Sequence, residues 1–296
     1  MHDHLRIVCV TYNSAEVIAQ FLSSVPADIE VVVVDNNSQD ASIQIARDHG
    51  ARVIEMPRNM GFGAACNRGA AGNDKEFVFF CNPDSTLTPA CCALLIEAAQ
   101  KHPRAGAMNP AILNGKGDLR LDRRSALISR SEYTDRRYAA PGNKDSVQVN
   151  ILTGAALFCR QSAFDEVGGF DEDIFLYHED DDLVFRMRQA GWTLRIEHGA
   201  TVTHLGGKSS GTAIQGAAMK AYFIAQSRMY VERRHGVSFP GLRAWARAFV
   251  KLLSPLTVLS ARKRAQALAY LNGTRRFEMS RYQEGDYMPP GSGLEK

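Results

Sequence analysis

The stretch EFVFFCNPDSTL (residues 76–87) places an uninterrupted apolar run directly before an asparagine and an aspartate that a proline separates. An apolar run without alternation is typical of a strand buried on both faces of a parallel sheet. The polar residues that follow have two interpretations. Asn, Pro, Asp and Ser are ordinary turn residues, but Asp84 at the end of a buried strand is also a candidate metal ligand.

The chain before this stretch alternates in the same way between apolar runs and helix-like segments. Strands are predicted at LRIVCVTYN (5–13), IEVVVVDNNS (29–38), ARVIEMP (51–57) and KEFVFFCNP (75–83). Helices are predicted at 14–25, 40–50, 61–72 and 89–102, the first capped by Ser14 and the second closed by Gly50. This order predicts an α/β fold with a parallel sheet.

Polar clusters follow three of the predicted strands, namely TYNS (11–14), DNNSQD (35–40) and NPDS (82–85). Because open parallel sheets bind ligands beyond the carboxyl ends of their strands, we expect the functional site at this edge. The stretch GFGAAC (61–66) fits the start of a dinucleotide-binding fingerprint. Its glycines lie in the third strand–helix unit and not directly after the first strand, which disfavours a nicotinamide or flavin enzyme.

The overall charge of +3 is unevenly distributed along the chain. Residues 205–296 contain fifteen Lys and Arg against five Asp and Glu, or +10, so residues 1–204 carry 20 minus 27, or −7. Two regions with different partners are expected. The six cysteines lack metal-ligand spacing, and the sequence shows no room for a signal peptide and no membrane-spanning run. We therefore expect a cytoplasmic protein.

A second polar cluster occurs in GGFDEDIFLYHEDDDLVFRMRQAGW (168–192). Five acidic residues lie between Asp173 and Asp182, and the pattern after them predicts an amphipathic helix. Glu179 and Asp180 then stand at a helix N-terminus, where the helix dipole favours negative charge. A solvated acidic face is the alternative. The bulky apolar residues directly before the acids favour instead a carboxylate at a pocket rim, as a general base requires.

Six motifs resemble, in the same order, those of the family 2 inverting glycosyltransferases of GT-A fold, and most closely the bacterial rhamnosyltransferases that build surface polysaccharides. The motifs are VTYNS, VVVVDNNSQD, RNMGFGAACNRG, FVFFCNPDSTL, LTGAALFCRQSAFDEVGGFDEDIFLYHEDDDLVFRMRQAGW and TVTHLGGKSSG. The resemblance implies a Rossmann-like, mostly parallel central sheet flanked by helices. It implies a GT-A domain at 1–212, divided into a nucleotide-sugar half (1–110) and an acceptor and catalytic half (111–212), and a helical basic region at 213–296.

The resemblance assigns the metal-binding aspartate of a DxD motif to Asp84, with Asn82 in place of the first acid of that motif. His204 matches a histidine that completes metal or diphosphate contacts, although a structural histidine at a strand end is the alternative. Oxygen ligands suit Mg²⁺ or Mn²⁺, which would offset the charge of the diphosphate that a sugar nucleotide leaves behind.

The same resemblance places five residues around the nucleotide of the donor. Thr11, Asn13 and Asp35 match positions at the base and ribose, and Asn59 and Gly61 match the loop beside them. These residues follow the predicted strand ends, where the fold itself predicts a ligand.

On the acceptor side, Asp180 matches the acid that deprotonates the acceptor hydroxyl, with Glu179 as the second choice. Gly154 and Ala155 are expected to line the acceptor part of the cleft, where their small side chains leave space for a sugar. A tight turn in the core would require the same residues. The polar segment 114–146 is expected to form a mobile loop over the site.

The basic C-terminal region contains the predicted helix LRAWARAFVKLLSPL (242–256). Its apolar residues Leu242, Trp245, Phe249 and Leu252 recur at helical spacing, and Arg243, Arg247 and Lys251 recur on another face. This pattern predicts a helix at an anionic membrane surface, but a helix packed on the domain is equally compatible. Nucleic acid is disfavoured because no binding motif accompanies the charge. The final PPGSGLEK (289–296) is expected to be a flexible tail.

The sequence thus predicts a metal-dependent hexosyltransferase that moves L-rhamnose from dTDP-L-rhamnose onto a lipid-linked or growing saccharide of a bacterial surface polysaccharide. UDP-N-acetylglucosamine and UDP-galactofuranose are alternative donors. A nucleotidyltransferase should show a glycine-rich, basic phosphate loop where the chain has TYNSAE (11–16). A non-catalytic sugar-nucleotide binding module is also an alternative, and the intact HEDDD (178–182) argues against it.

Overall fold

The computed structural model describes residues 3–119, 125–132, 146–206 and 213–279. Contacts between residues divide the chain into two compact units, Met1–Asp171 with Asp180–Ser209, and Glu172–Glu179 with Ser210–Lys296. The sequence predicted one domain over residues 1–212, whereas the contacts group the short segment Glu172–Glu179 with the C-terminal helices.

Within the described residues, the first unit contains a nine-stranded mixed sheet in the order β3-β2-β1-β4-β8-β6-β9-β5, with β7 paired to β9. Strands β1 to β4 pair in parallel, as predicted, and β6 is parallel to β9. Strands β5, β7 and β8 run antiparallel to their neighbours. The strands are Leu5–Thr11 (β1), Glu30–Asp35 (β2), Arg52–Glu55 (β3), Phe77–Cys81 (β4), Ser85–Leu87 (β5), Ala105–Leu113 (β6), Ser146–Val149 (β7), Ala156–Arg160 (β8) and Thr193–His204 (β9).

Helices cover both faces of this sheet, which explains the continuous apolar strands. In β1, Ile7 and Cys9 pack into one apolar cluster with α1, α2 and α4, whereas Val8 and Val10 pack into another with α3, α5 and α6. Gly69 in α3 allows a close approach, because a Cβ atom there would lie 2.4 Å from Val8 Cγ1. The helices are Ile18–Ser24 (α1), Ser42–Asp48 (α2), Phe62–Ala70 (α3), Cys91–Lys101 (α4), Gln161–Glu166 (α5) and Glu179–Gln189 (α6).

The predicted cap of the first helix is wrong. Helix α1 begins at Ile18, with Val17 at its N-cap and no side-chain capping hydrogen bond. The carbonyl of Ser14 instead accepts the N–H groups of Val17 and Ile18, so a turn precedes the helix. The Ser14 N–H donates to Ser42 Oγ at 2.8 Å, which ties this turn to the next strand–helix connection. Gly50 does follow α2, with a φ of 77°.

The second unit contains four helices within its described residues, Ala213–Arg234 (α7), Pro240–Leu253 (α8), Pro255–Leu259 (α9) and Ala261–Met279 (α10). In the described part of the whole chain, no helix combines the length and the apolar character needed to cross a membrane. Residues 120–124 and 133–145 of the predicted loop, and the tail at 289–296, lie outside the described residues.

Helix α8 presents part of the predicted basic row to solvent, because Arg243 and Lys251 are exposed whereas Arg247 is half-buried. Glu232 is 1% exposed, and its Oε1 accepts a 2.6 Å hydrogen bond from Arg247. Lys251 Nζ lies 3.7 Å from the centroid of the Tyr270 ring. A buried carboxylate such as that of Glu232 needs a nearby cation, and Arg247 therefore turns inward. Among the observed contacts of the described residues, Arg243 makes none of this kind. The exposed surface of α8 also carries the large apolar side chains of Leu242, Phe249, Val250 and Leu253.

Candidate functional site

Two buried oxygen atoms without hydrogen-bond partners lie at the carboxyl ends of β1 and β2. Thr11 and Asp35 are paired across these parallel strands, and both are buried. Within the described residues, Thr11 Oγ1 and Asp35 Oδ1 accept no hydrogen bond, whereas Asp35 Oδ2 accepts the N–H of Ser38 at 2.8 Å. Since an unsatisfied buried polar atom costs free energy, the pair indicates a place where a ligand supplies the missing partners.

Asn13 joins the loop after β1 to the loop after β2. Its φ of 50° lies in the left-handed region, which Asn adopts more readily than most residues. The Asn13 N–H donates to Ser38 Oγ at 2.9 Å, and its Oδ1 accepts the N–H of Gln39 at 2.8 Å. Asn13 therefore lies near Asp35, as predicted, and the observed contacts give it a loop-fixing role.

The loop before α3 is held against the end of β2 by an asparagine that the sequence analysis did not assign. Asn36 Nδ2 donates to the Gly61 carbonyl at 2.9 Å, and Asn36 Oδ1 accepts the Met60 N–H at 3.1 Å. Asn59 Oδ1 accepts the Gly61 N–H at 3.0 Å, and Gly61 takes a φ of 88° at the helix N-cap. Asn36 belongs to the polar cluster at 35–40, which was the signal that could have identified it.

Asp84 and His204 meet at the junction of β5 and β9. The Nε2 atom of His204 lies 3.1 Å from Asp84 Oδ1, and Asn82 Nδ2 lies 3.3 Å from the same nitrogen. Asp84 Oδ2 accepts the N–H of Gly206 at 3.0 Å. Antiparallel pairing of Ser85 with His204 sets this geometry. The structure therefore brings together all three residues that the resemblance assigned to the metal and diphosphate.

The carboxyl group of Asp84 is held in its ionised form. Its burial alone would raise the pKa, but the hydrogen bond and charge of His204, together with backbone N–H groups, outweigh desolvation and lower the pKa below its usual range. An ionised carboxylate next to an imidazole is the donor set that a divalent cation can use.

The geometry fits a cation that is shared with a substrate. Among the described residues, no group of three or more His, Cys, Asp and Glu side chains is arranged to hold a metal ion. Mg²⁺ is usually bound through one or two carboxylates plus substrate phosphates and water, so one carboxylate and one imidazole suffice when a diphosphate completes the set. Asp84 and His204 meet that requirement.

Asp180, the second residue of α6, accepts two backbone hydrogen bonds. Its Oδ2 accepts the Gly154 N–H at 2.7 Å and its Oδ1 accepts the Asp181 N–H at 2.9 Å. Desolvation by burial nevertheless dominates these bonds and raises the pKa of Asp180. A carboxylate with a raised pKa is a better proton acceptor than an ordinary aspartate, which suits a general base.

The other acidic residues of the cluster have different environments. Asp181 is 4% exposed, and its Oδ2 accepts the Ala126 N–H at 2.6 Å. Asp182 is fully buried and pairs with Arg186 at 2.7 Å, which in turn donates to the carbonyls of Val167 and Gly169. Glu179 is 7% exposed at the first position of α6. The cluster is therefore not a solvated acidic face.

Gly154 and Ala155 connect the turn that carries Asn82 and Asp84 with Asp180. The Ala155 carbonyl accepts the Asn82 N–H at 3.1 Å, while the Gly154 N–H donates to Asp180. A Cβ atom at Gly154 would lie 3.3 Å from Asp180 Cβ. The small residue at 154 thus permits close contact with Asp180, and a place for an acceptor sugar beside it stays a prediction.

Comparisons with known proteins identify the family of this chain. The model of the family described as "Glycosyl transferase family 2" matches residues 6–168, more than half of the chain. The chain belongs to glycosyl transferase family 2. This glycosyltransferase is also 30% identical to the N-acetylglucosaminyl-diphospho-decaprenol L-rhamnosyltransferase of Mycobacterium tuberculosis, an alignment that covers 90% of the chain and 96% of the relative. The predicted likeness to bacterial rhamnosyltransferases is confirmed.

Solved structures show that this glycosyltransferase has the predicted fold. A mannosyltransferase from Pyrobaculum calidifontis, in complex with GDP-Man and Mn²⁺, superposes with a TM-score of 0.61 at 15% identity, over 93% of this chain and 87% of that one. GalNAc-T7 with UDP, GalNAc and Mn²⁺ superposes with a TM-score of 0.54 at 14% identity, over 76% of this chain and half of that chain. At these identities the likeness concerns the fold.

Proposed function

We propose that this family 2 glycosyltransferase moves L-rhamnose from dTDP-L-rhamnose onto a lipid-linked or growing saccharide, with inversion at the sugar. The observation that carries the proposal is the contact of ionised Asp84 with His204 at the strand ends, beside Asn82. The mycobacterial relative, whose name specifies an L-rhamnosyl donor and a diphospho-decaprenol acceptor, supports the choice of both substrates.

For the donor, the nucleoside part would lie at the ends of β1 and β2. Thr11 Oγ1 and Asp35 Oδ1 have no partner among the described residues, so a base or ribose that donates hydrogen bonds would satisfy them. The loops that Asn13 and Asn36 hold in position would line this nucleoside-binding site. Asn59 contributes to the same lining, because its side chain holds the turn at Gly61.

For the leaving group, Asp84 and His204 would hold Mg²⁺ or Mn²⁺. When bound, such an ion offsets the negative charge that develops on the departing nucleoside diphosphate. Asp84 contributes an ionised oxygen at the pH of the cell, because its pKa is lowered. Asn82 contributes an amide that orients His204 and adds no charge of its own.

For the acceptor, Asp180 would take the proton from the attacking hydroxyl group. A single displacement at the anomeric carbon requires the nucleophile to be deprotonated as the diphosphate leaves, and inversion follows from one displacement. The hydrogen bond from Gly154 fixes the orientation of the carboxylate. Burial raises the pKa of Asp180, whereas Asp182 is paired with Arg186, which makes Asp180 the stronger choice of base of the two.

We also propose that the C-terminal unit attaches to an anionic membrane surface through the exposed apolar face of α8. Large apolar side chains of α8 and its flanks are exposed, with Leu242 at 70%, Val250 at 71% and Leu253 at 81%. Residues 239–264 contain six Lys and Arg and no acidic residue, and Arg262, Lys263 and Arg264 are exposed. Apolar side chains flanked by cations are typical of interfacial helices.

A thermal-shift screen tests the donor assignment. The protein would be heated with dTDP-L-rhamnose, UDP-N-acetylglucosamine and UDP-galactofuranose, each with and without Mn²⁺. A ligand that binds the folded state raises the melting temperature in proportion to the logarithm of its concentration over Kd, so the cognate donor should give the largest shift. We expect dTDP-L-rhamnose with Mn²⁺ to do so. A larger shift with a UDP-sugar would reassign the donor.

A further inference from the structure

A short segment before the base is attached along its length to one face of helix α7. This anchor segment, Glu172–Glu179, groups with the C-terminal helices. The contacting α7 residues recur at spacings of three and four, so they share one helix face. The contacts are Asp173 Oδ2 with Tyr230 Oη at 3.2 Å, Phe175 with the Phe223 ring at 4.9 Å, the Tyr177 ring with Lys220 Nζ at 5.3 Å, and His178 Nδ1 with Ser227 Oγ at 3.0 Å.

The hydrogen bond between His178 and Ser227 determines which ring nitrogen of His178 carries the proton. Ser227 Oγ donates its only proton to the Phe223 carbonyl at 2.7 Å, so it accepts a hydrogen bond from His178 Nδ1. Desolvation by burial, together with the charges of Arg228 and Arg247, lowers the pKa of His178 to about 3. His178 is thus a neutral imidazole with its proton on Nδ1, and this nitrogen faces α7.

The backbone at this point is strained. Tyr177 and His178 are consecutive residues with φ of 68° and 64°, in the left-handed region that residues with a Cβ atom disfavour. Such conformations persist only where the surrounding contacts hold them, and they cluster at functional sites. Here the Tyr177 ring and the His178 imidazole, both fixed on α7, hold the two strained residues in place.

The chain passes from one unit to the other directly after this strained pair. Glu179 is the last residue of the anchor segment, and Asp180 is the first residue that groups again with the sheet. Both belong to the first turn of α6. The peptide that leads into Asp180 is therefore fixed by contacts that none of the sequence motifs explained.

We propose that His178 is a positioning residue for Asp180, and that the C-terminal helices contribute to the transfer step through the anchor segment. The inference rests on the proposed role of Asp180 as base. Loss of the His178–Ser227 hydrogen bond would let the strained pair relax and would move the start of α6. Binding of the donor would change little, because Thr11, Asp35, Asp84 and His204 lie on other elements.

The test compares three single variants and one double variant of the full chain. His178→Ala removes the hydrogen bond, Ser227→Ala removes its acceptor, and His178→Asn keeps an N–H donor on a residue that tolerates a positive φ. We expect at least a tenfold lower kcat for His178→Ala with dTDP affinity within about twofold of wild type, and substantial recovery for His178→Asn. The variant that combines His178→Ala with Ser227→Ala should have a kcat no lower than that of the slower single variant. The reason is that both substitutions remove the same hydrogen bond.

Two further readouts separate positioning from a structural role. The pH dependence of kcat should shift in His178→Ala, because the surroundings of Asp180 change. His49→Ala is the matched control, since His49 is an exposed histidine whose Nδ1 lies 2.9 Å from the Ile45 carbonyl, on an unrelated helix. It should behave as wild type in every readout.

A His178→Ala variant that melts at a lower temperature but keeps the wild-type kcat and pH profile would overturn the proposal. So would loss of dTDP binding in both His178→Ala and His178→Asn, which would indicate general unfolding. Failure of the proposed function itself looks different. In that case the wild type transfers no sugar, or Asp180→Asn transfers it at the wild-type rate.

Discussion

The backbone N–H of Gly154 donates a 2.7 Å hydrogen bond to Oδ2 of Asp180, and a Cβ atom at position 154 would lie 3.3 Å from Asp180 Cβ. The loop before β8 and the first turn of α6 thus meet at a point where a side chain would be crowded. The contact aims the carboxylate, while burial raises its pKa.

The first prediction concerns the pH dependence of sugar transfer. A general base acts only when it is ionised, so kcat should rise with pH through the pKa of Asp180 and then reach a plateau. Because burial raises this pKa, the midpoint should lie above the usual aspartate value of about 3.9. A kcat profile from pH 4 to 8, at saturating substrates, measures it. A midpoint at or below the usual value would contradict the assignment.

The second prediction concerns Asp84. Asp84→Ala should abolish the gain in dTDP affinity that Mn²⁺ provides, because the ionised ligand next to His204 is lost. Calorimetric titration of dTDP with and without Mn²⁺ measures the difference. Asp48→Ala, at an exposed position in α2, is the matched control and should keep the full metal effect. An unchanged metal dependence in Asp84→Ala would remove Asp84 from the metal site.

The third prediction concerns Asp181, which holds the segment 125–132 through the Ala126 N–H. This segment folds on itself, since Ser125 Oγ accepts the N–H groups of Leu127 and Ile128, both at 2.9 Å. Asp181→Ala should release it and raise the acceptor KM several-fold while dTDP affinity stays unchanged. Asp181→Asn retains an acceptor oxygen and should have the smaller effect. Steady-state kinetics with varied acceptor concentration measures this KM. An unaltered acceptor KM in Asp181→Ala would show that the segment has no role in acceptor binding.

The fourth prediction concerns the apolar face of α8. Replacing Leu242, Phe249 and Leu253 together by serine should weaken binding to anionic vesicles at least tenfold, because inserted apolar area is lost. Replacing Arg262, Lys263 and Arg264 by glutamine should weaken it by roughly two orders of magnitude, at about 1 kcal/mol for each cation near the surface. Vesicle co-sedimentation at varied salt measures both effects.

Leu268→Ser is the control for the vesicle experiment, since Leu268 is 58% exposed on α10 outside this stretch. It should bind vesicles as the wild type does. A wild type that stays in the supernatant at low salt would contradict attachment to an anionic membrane.

The sequence predicted the parallel half of the sheet well, because β1, β2 and β4 are uninterrupted apolar runs whose ends carry polar clusters. The sequence did not correctly predict where α1 begins. Whether Ser14 caps a helix depends on the backbone conformation after it, and that backbone forms a turn tied to Ser42. Residue type alone does not determine this choice.

The site was predictable only in part for a related reason. Its position at the end of a buried apolar strand identified Asp84 as a candidate ligand. Its contact with His204 joins β5 to the distant strand β9, and only the resemblance assigned both residues to one site. Helical spacing separated the apolar and basic faces of α8 correctly. It did not indicate that Arg247 turns inward, because that depends on the buried Glu232 in another helix.

Transfer of rhamnose itself tests the central claim most directly. The wild type, Asp180→Asn and Glu179→Gln would be incubated with dTDP-L-rhamnose, Mn²⁺ and an N-acetylglucosaminyl-diphospho-polyprenol, and the rhamnosylated product would be quantified by mass spectrometry. We expect acceptor-dependent product from the wild type, a loss of 10²- to 10⁴-fold in turnover for Asp180→Asn, and a smaller loss for Glu179→Gln. Absence of product with the wild type, or equal turnover by Asp180→Asn, would contradict the account.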